Sequence, residues 1–333
     1  MIIRTYSYPR AAVMGNPSDG YFGKTIAFIF SNYRAEVTLY ESPELEIVPQ
    51  ERDKLIFSNT DELYEDVRFF GYYGGIRLIK ATIKRFVEHT RKSGIRLPAR
   101  NFTIRYQSNI PGRLGLAGSS AIITAAMRAL MRFYEISLPL PELANLVLSV
   151  ETDELGIGAG LQDRVAQAYE TPIYMDFDRT HMEAKGYGRY QPLQQLRVAS
   201  WYLAFRTDLA EGSEVVHNDL RSRFDKGDPK VMEAMRGFAD LTDQAIEALN
   251  HRDISRLGDL INQNFDLRAS IMQISERNRR MVELARAVGA SAKFTGSGGA
   301  IIGTVTNQQM FDTLRQQLEA AGIEVIRPKI VYK

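Results

Sequence analysis

The chain has no cysteine among its 333 residues. This absence excludes disulfide bonds, zinc sites built on thiolates and catalytic thiol nucleophiles. The sequence also has no apolar run close to the ~20 residues that a membrane-spanning helix needs. Its first residues lack the charged start and apolar core of a signal peptide. We therefore expect a cytoplasmic protein that does not use a membrane as a partner.

An excess of one charge sign is also missing. The 42 basic residues nearly balance the 40 acidic ones and give a net charge of +2, so nucleic acid is not an expected partner. The hydrophobic share of 44% is normal for a globular protein. The length allows about two domains, because domains usually hold roughly 100–200 residues. A change of pattern near residue 190 predicts an N-terminal domain over 1–190 and a C-terminal domain over 191–333.

The most informative stretch is residues 108–134. Apolar residues alternate from Phe102 to Tyr106, which predicts a strand, and they recur at helical spacing from Ile122 to Phe133, which predicts a helix. Glycine allows close approach of a ligand, and a helix N-terminus attracts anions. The stretch therefore predicts a phosphate-binding loop, and a plain turn capped by Ser119 is the alternative. The glycines and hydroxyls between strand and helix are Gly112, Gly115, Gly118, Ser119 and Ser120.

This loop is not one of the two common nucleotide-binding loops. No lysine occurs between Lys92 and Lys185, whereas the P-loop ends in Gly-Lys-Ser/Thr. The spacing of its glycines also differs from the dinucleotide-binding fingerprint. The residues alone therefore leave the type of phosphate ligand open.

Two other segments are rich in turn-forming residues. The segment from Gly15 to Lys24 carries Asp19 and Tyr21, and these side chains together with Lys24 are able to face one ligand. A plain surface loop is the alternative, because Asn, Pro, Ser, Asp and Gly all form turns. A third glycine cluster spans residues 295–299, where a simple hairpin turn is the alternative.

Two carboxylates flank a glycine-rich bend. Glu151 ends one predicted helix and Asp163 begins the next, 12 positions later. Magnesium typically takes one or two carboxylates together with phosphate oxygens, so next to a phosphate loop the pair favours metal binding and proton abstraction. The alternative is that Asp163 stabilises a helix start through the helix dipole and that Glu151 is a solvated surface residue.

The remaining pattern predicts an α+β chain. Strands are predicted at 2–14, 26–39 as one strand or two, 45–48, 172–177, 198–205, 293–305 and 323–328. Further helices are predicted at 61–92 with interruptions at Gly71 and Gly74-Gly75, and at 211–224, 229–250, 253–272, 275–288 and 307–321. Residues 178–195 are polar and carry Gly186 and Gly188, and the domain boundary near 190 falls within them.

Three of these segments, in order, resemble the motifs of the GHMP kinases, which are named for galactokinase, homoserine kinase, mevalonate kinase and phosphomevalonate kinase. They are residues 10–19, 111–121 and 293–299. In the first, Asn16 and Pro17 stand where the family usually has Glu-His. Within the superfamily the chain is most similar to the glucuronokinases, through residues 15–26, 159–167, 264–268 and 292–300.

The resemblance implies a fold and an activity. The fold is the two-domain α+β GHMP kinase fold, with an N-terminal domain like ribosomal protein S5 domain 2 and a ferredoxin-like C-terminal domain. The implied activity is that of a sugar-1-kinase, a monomer or homodimer, that uses ATP and Mg²⁺ to convert D-glucuronate to its 1-phosphate. The alternatives are a kinase for a heptose, galactose, fucose or arabinose, and a non-catalytic nucleotide-binding protein.

The resemblance also implies a role for each candidate residue. Asp163 would take the proton from the sugar hydroxyl and Arg10 would stabilise charge on the phosphoryl group, while Ser120 and Glu151 would hold Mg²⁺. Because a buried carboxylate needs a basic partner, Lys24, Arg164 and Arg268 are the candidates to bind a uronate, in that order. The predicted ATP-binding residues are Pro111, Gly112, Gly115, Leu116, Gly118, Ser119 and Ser120. The predicted substrate-binding residues are Asn16, Ser18, Asp19, Tyr21, Lys24, Arg164, Arg268, Gly296, Ser297, Gly298 and Gly299.

Overall fold

The computed structural model describes residues 1–50, 53, 56–70, 74–206 and 214–333. The chain divides into two compact units, each assembled from separated stretches of sequence. Unit 1 comprises Met1–Pro9, Tyr33–Gly112 and Ala117–Ala168, and unit 2 comprises Arg10–Asn32, Arg113–Leu116 and Tyr169–Lys333. The domain boundary near residue 190 stays a prediction.

Unit 1 is a four-stranded sheet covered by helices. With elements numbered along the whole chain, its strands are β1 (Ile2–Ser7), β4 (Ala35–Ser42), β5 (Glu46–Val48) and β6 (Asn101–Ser108), in the sheet order β1-β4-β6-β5. Its helices are α1 (Thr60–Phe70), α2 (Gly75–Lys92), α3 (Gly118–Phe133), α4 (Leu140–Ser149) and α5 (Leu161–Tyr169, whose last residue is assigned to unit 2).

Side-chain periodicity explains how this sheet is covered. In β1 and β4 every second residue is buried, as expected for a sheet with one face towards the core. Helix α3 packs on that face, and the hydroxyl of Thr5 donates to the carbonyl of Ala125 at 2.7 Å. Residues of α3 are buried on nearly all sides, because α2 packs against it as well.

Unit 2 contains two antiparallel sheets. The first has the order β2-β3-β7-β8 and consists of β2 (Arg10–Met14), β3 (Lys24–Ile29), β7 (Ile173–Asp176) and β8 (Arg189–Pro192). The second has the order β10-β11-β9-β12 and consists of β9 (Ser200–Phe205), β10 (Lys293–Phe294), β11 (Ala300–Val305) and β12 (Glu324–Ile326). The helices of unit 2 are α6 (Arg179–Lys185), α7 (Glu214–Asp225), α8 (Pro229–Asn250), α9 (Ile254–Ile271), α10 (Glu276–Ala287) and α11 (Gln308–Glu319).

Local sequence fixes where several of these helices begin. The side chain of Asp228 caps α8 and is followed by Pro229 at the first helical position, which suits proline. Asp253, Ser275 and Asn307 cap α9, α10 and α11 in the same way. None of the helices in the part of the chain that the structure describes is long and apolar enough to cross a membrane.

Most predicted elements are confirmed, but two stretches predicted as single strands each form two. The stretch over 2–14 forms β1 and β2, and the stretch over 293–305 forms β10 and β11, which pair antiparallel with each other across the glycine cluster. The cluster is therefore the hairpin turn given above as the alternative, and the N–H of Thr295 donates to the carbonyl of Ala300 at 3.1 Å. Residues 178–195 contain α6 and β8, whose short and mostly exposed segments leave no apolar period to detect. The interruption predicted at Gly74-Gly75 is confirmed, because α2 begins at Gly75 with Gly74 as its N-cap. The predicted break at Gly71 and residues 211–213 of another predicted helix lie outside the described residues.

Candidate active site

Unit 2 brings together a segment from each of the three motifs. The backbone N–H of Arg10 donates to the carbonyl of Leu116 at 3.0 Å, and that of Ala12 donates to the carbonyl of Thr295 at 3.0 Å. The guanidinium Nη1 of Arg10 donates to the carbonyl oxygens of Thr295 and of Gly115, the latter at 3.3 Å. Arg10 is only 4% exposed. It therefore joins the phosphate-loop segment of unit 2 to the third glycine cluster, residues 295–299.

Two glycines are required where these segments touch. A Cβ at Gly115 would lie 2.7 Å from the backbone nitrogen of Ser297, and the φ of Gly115 is +63°. A Cβ at Gly296 would lie 2.3 Å from the carbonyl oxygen of Gly115. Any side chain at either position would separate the two segments. By contrast, a Cβ at Gly112 would meet no atom of the described residues within 4 Å, and the predicted contact of Gly112 with ATP stays a prediction.

The segment from Gly15 to Lys24, which we call the substrate loop, is held at its first residues. The N–H of Gly15 donates to Oδ1 of Asn264 at 2.7 Å, and Nδ2 of Asn264 donates to the carbonyl of Asn16 at 3.3 Å. The Asn16 amide in turn accepts from Nζ of Lys293 at 2.5 Å and donates to the carbonyl of Phe294 at 3.4 Å. Asn16 is 3% exposed, and the bonds that the structure shows for its side chain are internal ones. Its contact with a substrate stays a prediction.

Lys293 is a buried lysine that the sequence argument did not assign a role. Its side chain is 1% exposed, and its Nζ also donates to the carbonyl of Ala12 at 2.8 Å. Desolvation holds the pKa of Lys293 well below its usual value, and the nearby cations Arg268 and Arg10 act in the same direction. Lys293 therefore ties strand β2 and the substrate loop to the strand that leads into the third glycine cluster.

Arg268 on α9 contacts the third glycine cluster directly. Its Nη1 donates to the carbonyl of Gly296 at 2.7 Å, and its Nη2 donates to the carbonyl of Ser297 at 3.0 Å. Burial lowers the pKa of Arg268 to about 10, while the Asp19 carboxylate raises it. The guanidinium therefore stays charged at neutral pH, and its two-pronged geometry matches the two carbonyls.

The rest of the substrate loop is more accessible. Asp19 is half-buried within the 3₁₀ turn Ser18–Tyr21, and the buried Ser18 hydroxyl donates to the carbonyl of Lys24 at 3.2 Å. Burial raises the pKa of Tyr21 to about 12, so its hydroxyl remains protonated. The Lys24 ammonium lies 2.5 Å from Oδ2 of Asp243, and the Lys24 side chain is 28% exposed.

The end of the phosphate loop and the start of α3 belong to unit 1. Ala117 adopts a left-handed φ of +61° at the N-cap and makes no side-chain cap, so the alternative in which Ser119 caps the helix is not what the structure shows. Ser119 is exposed, whereas Ser120 is buried and its hydroxyl donates to the carbonyl of Ala117 at 3.1 Å. The first N–H groups of a helix have no acceptor within the helix and favour anions. The start of α3 therefore suits a phosphate.

One arginine joins the two predicted carboxylates of unit 1. Glu151 lies in a π-helical turn, Val150–Glu154, and its carboxylate forms an ion pair with Nη2 of Arg164. Nη1 of Arg164 donates to Oδ2 of Asp163 at 3.2 Å and to the carbonyl of Gly160 at 2.8 Å. The side chains of Glu151 and Arg164 are 3% and 5% exposed, while that of Asp163 is 17% exposed. Asp163 is therefore the carboxylate of this group that solvent reaches most.

The residues predicted to hold Mg²⁺ have suitable donor atoms. Within the described residues, no group of three or more His, Cys, Asp or Glu side chains could hold a metal ion by itself. Magnesium needs no such cage, because it is commonly held by one or two protein oxygens and by the substrate's phosphates. The Ser120 hydroxyl uses its hydrogen towards Ala117 and so presents its lone pairs. Arg164 orients the Glu151 carboxylate as the outer partner of a metal ligand does.

Gln167 is a second buried residue that sequence reasoning missed. It lies one turn after Asp163 on α5 and is fully buried. Its Nε2 donates to the carbonyls of Ala117 at 3.0 Å and of Tyr8 at 3.1 Å, and its Oε1 accepts from the Thr124 hydroxyl at 3.4 Å. The helix that carries the predicted base is thus bonded to the end of the phosphate loop.

A signal for part of this network was present in the sequence. The buried residues of α9 recur at helical spacing, and polar residues occupy two positions of that stripe, Asn264 and Arg268. A polar side chain on a buried stripe must find a partner inside the protein. Such positions therefore point to internal hydrogen bonds even where the partner cannot be identified from the sequence.

Comparison with known proteins places these motifs in a family. The chain matches the GHMP kinases N terminal domain over residues 77–171 and the GHMP kinases C terminal domain over residues 245–324. It is 41% identical to "Probable glucuronokinase 2" of Arabidopsis thaliana over 303 residues, covering 89% of this chain and 82% of the relative. It is 39% identical to "Glucuronokinase 1" of the same plant over 302 residues, covering 89% and 83%.

A solved structure supports the fold. The galactokinase of Lactococcus lactis, solved in complex with galactose, superposes with a TM-score of 0.75 at 17% identity, covering 99% of this chain and 94% of the galactokinase. At that identity the likeness shows the fold alone, and it confirms the predicted α+β GHMP kinase fold. The family matches and the two plant relatives go further: the chain belongs to the GHMP kinase family and is a phosphotransferase of the sugar kinase type.

Proposed function

We propose that this protein transfers the γ-phosphoryl group of ATP to the 1-hydroxyl of D-glucuronate and releases D-glucuronate 1-phosphate and ADP. The observation that carries the choice of sugar is the identity of about 40% with two plant glucuronokinases over 89% of the chain. Phosphoryl transfer depends mainly on positioning and on charge neutralisation. The candidate residues supply both.

The unit 1 residues provide the base and the metal ligands in this proposal. Asp163 takes the proton from the 1-hydroxyl, and Arg164 holds the Asp163 carboxylate in place from 3.2 Å. Ser120 and Glu151 hold Mg²⁺, which neutralises charge on the phosphates when it is bound. The N–H groups at the start of α3 receive a phosphate of ATP.

The unit 2 residues provide the cation and the sugar contacts. Arg10 stabilises charge on the transferred phosphoryl group, and Asp19 accepts hydrogen bonds from sugar hydroxyls. Gly115 and Leu116 form part of the ATP loop. The third glycine cluster, including Gly298 and Gly299, contributes backbone groups to the sugar site. The cytoplasmic location and the monomer or homodimer state stay predictions.

Lys24 remains our first choice for the partner of the uronate carboxylate. Arg164 already pairs with Glu151 and Asp163, and Arg268 already donates to two carbonyls. Lys24 makes one ion pair, with Asp243, and both side chains are partly exposed at 28% and 47%. An exposed pair of this kind contributes only about 0–1 kcal/mol. It can therefore be exchanged for a substrate carboxylate at little cost.

A coupled assay of ADP release over a panel of sugars tests this proposal. The panel holds D-glucuronate, D-galacturonate, glucose, galactose, fucose, arabinose and a heptose, each with ATP and Mg²⁺. We expect the highest kcat/KM for D-glucuronate and phosphate at its C1 hydroxyl, read by phosphorus NMR of the product. If a neutral sugar has a higher kcat/KM than D-glucuronate, that sugar is the substrate and the assignment of glucuronate is wrong. If none of the sugars in the panel supports ADP release, the protein is not a sugar-1-kinase.

A further inference from the structure

We propose that Asn264 and Arg268 of α9 are positioning residues that hold the substrate loop and the third glycine cluster in fixed places relative to each other. The inference deepens the proposed function, because it rests on the assignment of both segments to the sugar site. The two side chains contact segments that lie about 280 positions apart in the sequence. The positioning role needs no contact of either residue with the substrate, and the contact predicted above for Arg268 stays a separate prediction.

The geometry of α9 explains how one helix reaches both segments. Residues four positions apart lie on the same face of a helix, one above the other. Asn264 bonds Gly15 and Asn16 of the substrate loop, while Arg268 bonds Gly296 and Ser297 of the glycine cluster. Because α9 is a rigid regular element, the spacing between the two sets of bonds is fixed by a single helical turn.

The bonds from Arg268 also set the direction of the cluster's backbone. In a planar trans peptide the N–H points opposite to the C=O. Since Arg268 binds the carbonyls of Gly296 and Ser297, the N–H groups of Ser297 and Gly298 point away from α9. The N–H of Gly299 donates a further hydrogen bond to Oδ1 of Asn278 at 2.9 Å. The arginine therefore determines which side of the cluster presents hydrogen-bond donors.

Charge and burial fit a positioning role. Asn264 is fully buried and Arg268 is 3% exposed, and both side chains bond backbone groups of the two segments. Burying a guanidinium is costly unless its donors are satisfied, and both Nη atoms of Arg268 bond carbonyls of the cluster. The carboxylate of Asp19, in the substrate loop, stabilises the positive charge of Arg268 and so lowers the cost of burying the guanidinium.

A matched control is available on α10. Arg286 is also a partly buried arginine that donates to backbone carbonyls, those of Asn262 at 2.8 Å and Ala292 at 3.4 Å, and it pairs with Asp266. Asn262 and Asp266 are residues of α9 itself, and Ala292 lies just before strand β10, so all three are outside both positioned segments. Arg286→Met therefore removes similar bonds without releasing the substrate loop or the glycine cluster.

Hydrogen–deuterium exchange and steady-state kinetics on the full-length protein test the proposal. We expect Arg268→Met to speed exchange in a peptide covering residues 295–300, and Asn264→Ala to speed it in a peptide covering residues 15–23. Each should lower kcat/KM for the best sugar of the panel by about tenfold to a hundredfold, because small misplacements near the chemistry cost that much. Arg268→Lys keeps the charge without the fork and should fall between Met and the wild type.

Two results would overturn the inference. One is an equal loss of kcat/KM in Arg268→Met and Arg286→Met at equal loss of melting temperature. The other is faster exchange spread evenly through unit 2 instead of confined to the two segments. If Arg268→Met does not fold, Arg268→Lys carries the same comparison. If the wild type phosphorylates no sugar, the proposed function fails, whereas the exchange measurements still decide whether α9 holds the two segments.

Discussion

At the scale of single residues, Asp163 is the side chain on which the proposed chemistry depends. We predict that Asp163→Asn lowers kcat by about 10²–10⁴-fold, the usual contribution of a general base. Asparagine has the same shape and can still accept a hydrogen bond from Arg164, so the KM for ATP should change little. Steady-state kinetics with both substrates varied provide the measurement. Undiminished turnover in this variant would rule out Asp163 as the base.

The metal assignment makes a separate prediction about Ser120 and Glu151. Ser120→Ala removes an oxygen ligand of the ion, and Glu151→Gln removes the negative charge of the other ligand. Mg²⁺ demands near-octahedral coordination by oxygen atoms. We therefore expect each variant to need a higher Mg²⁺ concentration for half-maximal activity. Titration of activity with Mg²⁺ at fixed ATP measures this.

The control for the metal prediction is Glu154→Gln. This carboxylate belongs to the same π-helical turn but pairs with Lys84 at 2.5 Å. Its Mg²⁺ titration should match that of the wild type. Unshifted titrations in both Ser120→Ala and Glu151→Gln would show that neither residue serves the metal.

Residue identity alone predicted the presence of these groups better than it predicted their partners. The hydroxyl of Ser120 and the carboxylates of Glu151 and Asp163 follow from motif spacing. The ion pairs from Arg164 to both carboxylates do not, because they depend on how the π-helical turn and α5 approach each other. Lys293 was hidden for a related reason: a lysine between apolar neighbours in a strand normally points to solvent.

At the scale of elements, helix α5 carries Asp163 and is fastened at its C-terminal end. Nη2 of Arg128, on α3, donates to the carbonyls of Gln167 at 2.6 Å and Ala168 at 3.3 Å, and its Nη1 donates to that of Tyr6 at 3.0 Å. A cation at a helix C-terminus is favourable for the helix dipole. Arg128 thus connects α3, α5 and the edge strand β1.

We predict that Arg128→Met lowers the free energy of unfolding by about 1–3 kcal/mol, the cost of leaving buried acceptors unsatisfied. Urea denaturation followed by circular dichroism measures it. Arg132→Met is the matched control, because Arg132 lies one turn later on α3, is exposed, and donates to the carbonyl of Arg4 at 3.2 Å, not to α5. That control should stay within about 0.5 kcal/mol of the wild type. If both variants lose the same free energy of unfolding, the bonds from Arg128 to α5 do not contribute specifically to stability.

Element boundaries show what sequence periodicity can and cannot supply. Long amphipathic helices such as α8 are predicted almost to the residue, because their apolar stripe is regular and, in α8, Asp228 and Pro229 mark the first turn. Short exposed elements such as α6 and β8 have no such stripe. The strand predicted over 293–305 is a hairpin whose strands β10 and β11 pair across the glycine cluster, a turn that the sequence offered only as the alternative for those glycines.

At the scale of the whole molecule, charge balance limits how an anionic sugar can be selected. With 42 basic and 40 acidic residues, the protein has a net charge of only +2 and no strong overall field to draw in an anion. Any preference for a uronate over the neutral sugar must therefore come from a local cation. This reasoning turns the choice of substrate into a question about Lys24 and the residue it pairs with.

We predict that Lys24→Met raises the KM for D-glucuronate and leaves the KM for a neutral sugar nearly unchanged. Loss of a buried charge pair costs roughly 2–5 kcal/mol, and because Lys24 is 28% exposed we expect about 2 kcal/mol, which is roughly a 30-fold rise in KM. Asp243→Asn is the control, since it removes the internal competitor while Tyr174, whose hydroxyl lies 3.0 Å from Oδ1 of Asp243, can keep its bond. That variant should bind glucuronate as well as the wild type or better. If instead Asp243→Asn raises the KM as Lys24→Met does, the ion pair serves the fold, and the carboxylate must be bound elsewhere.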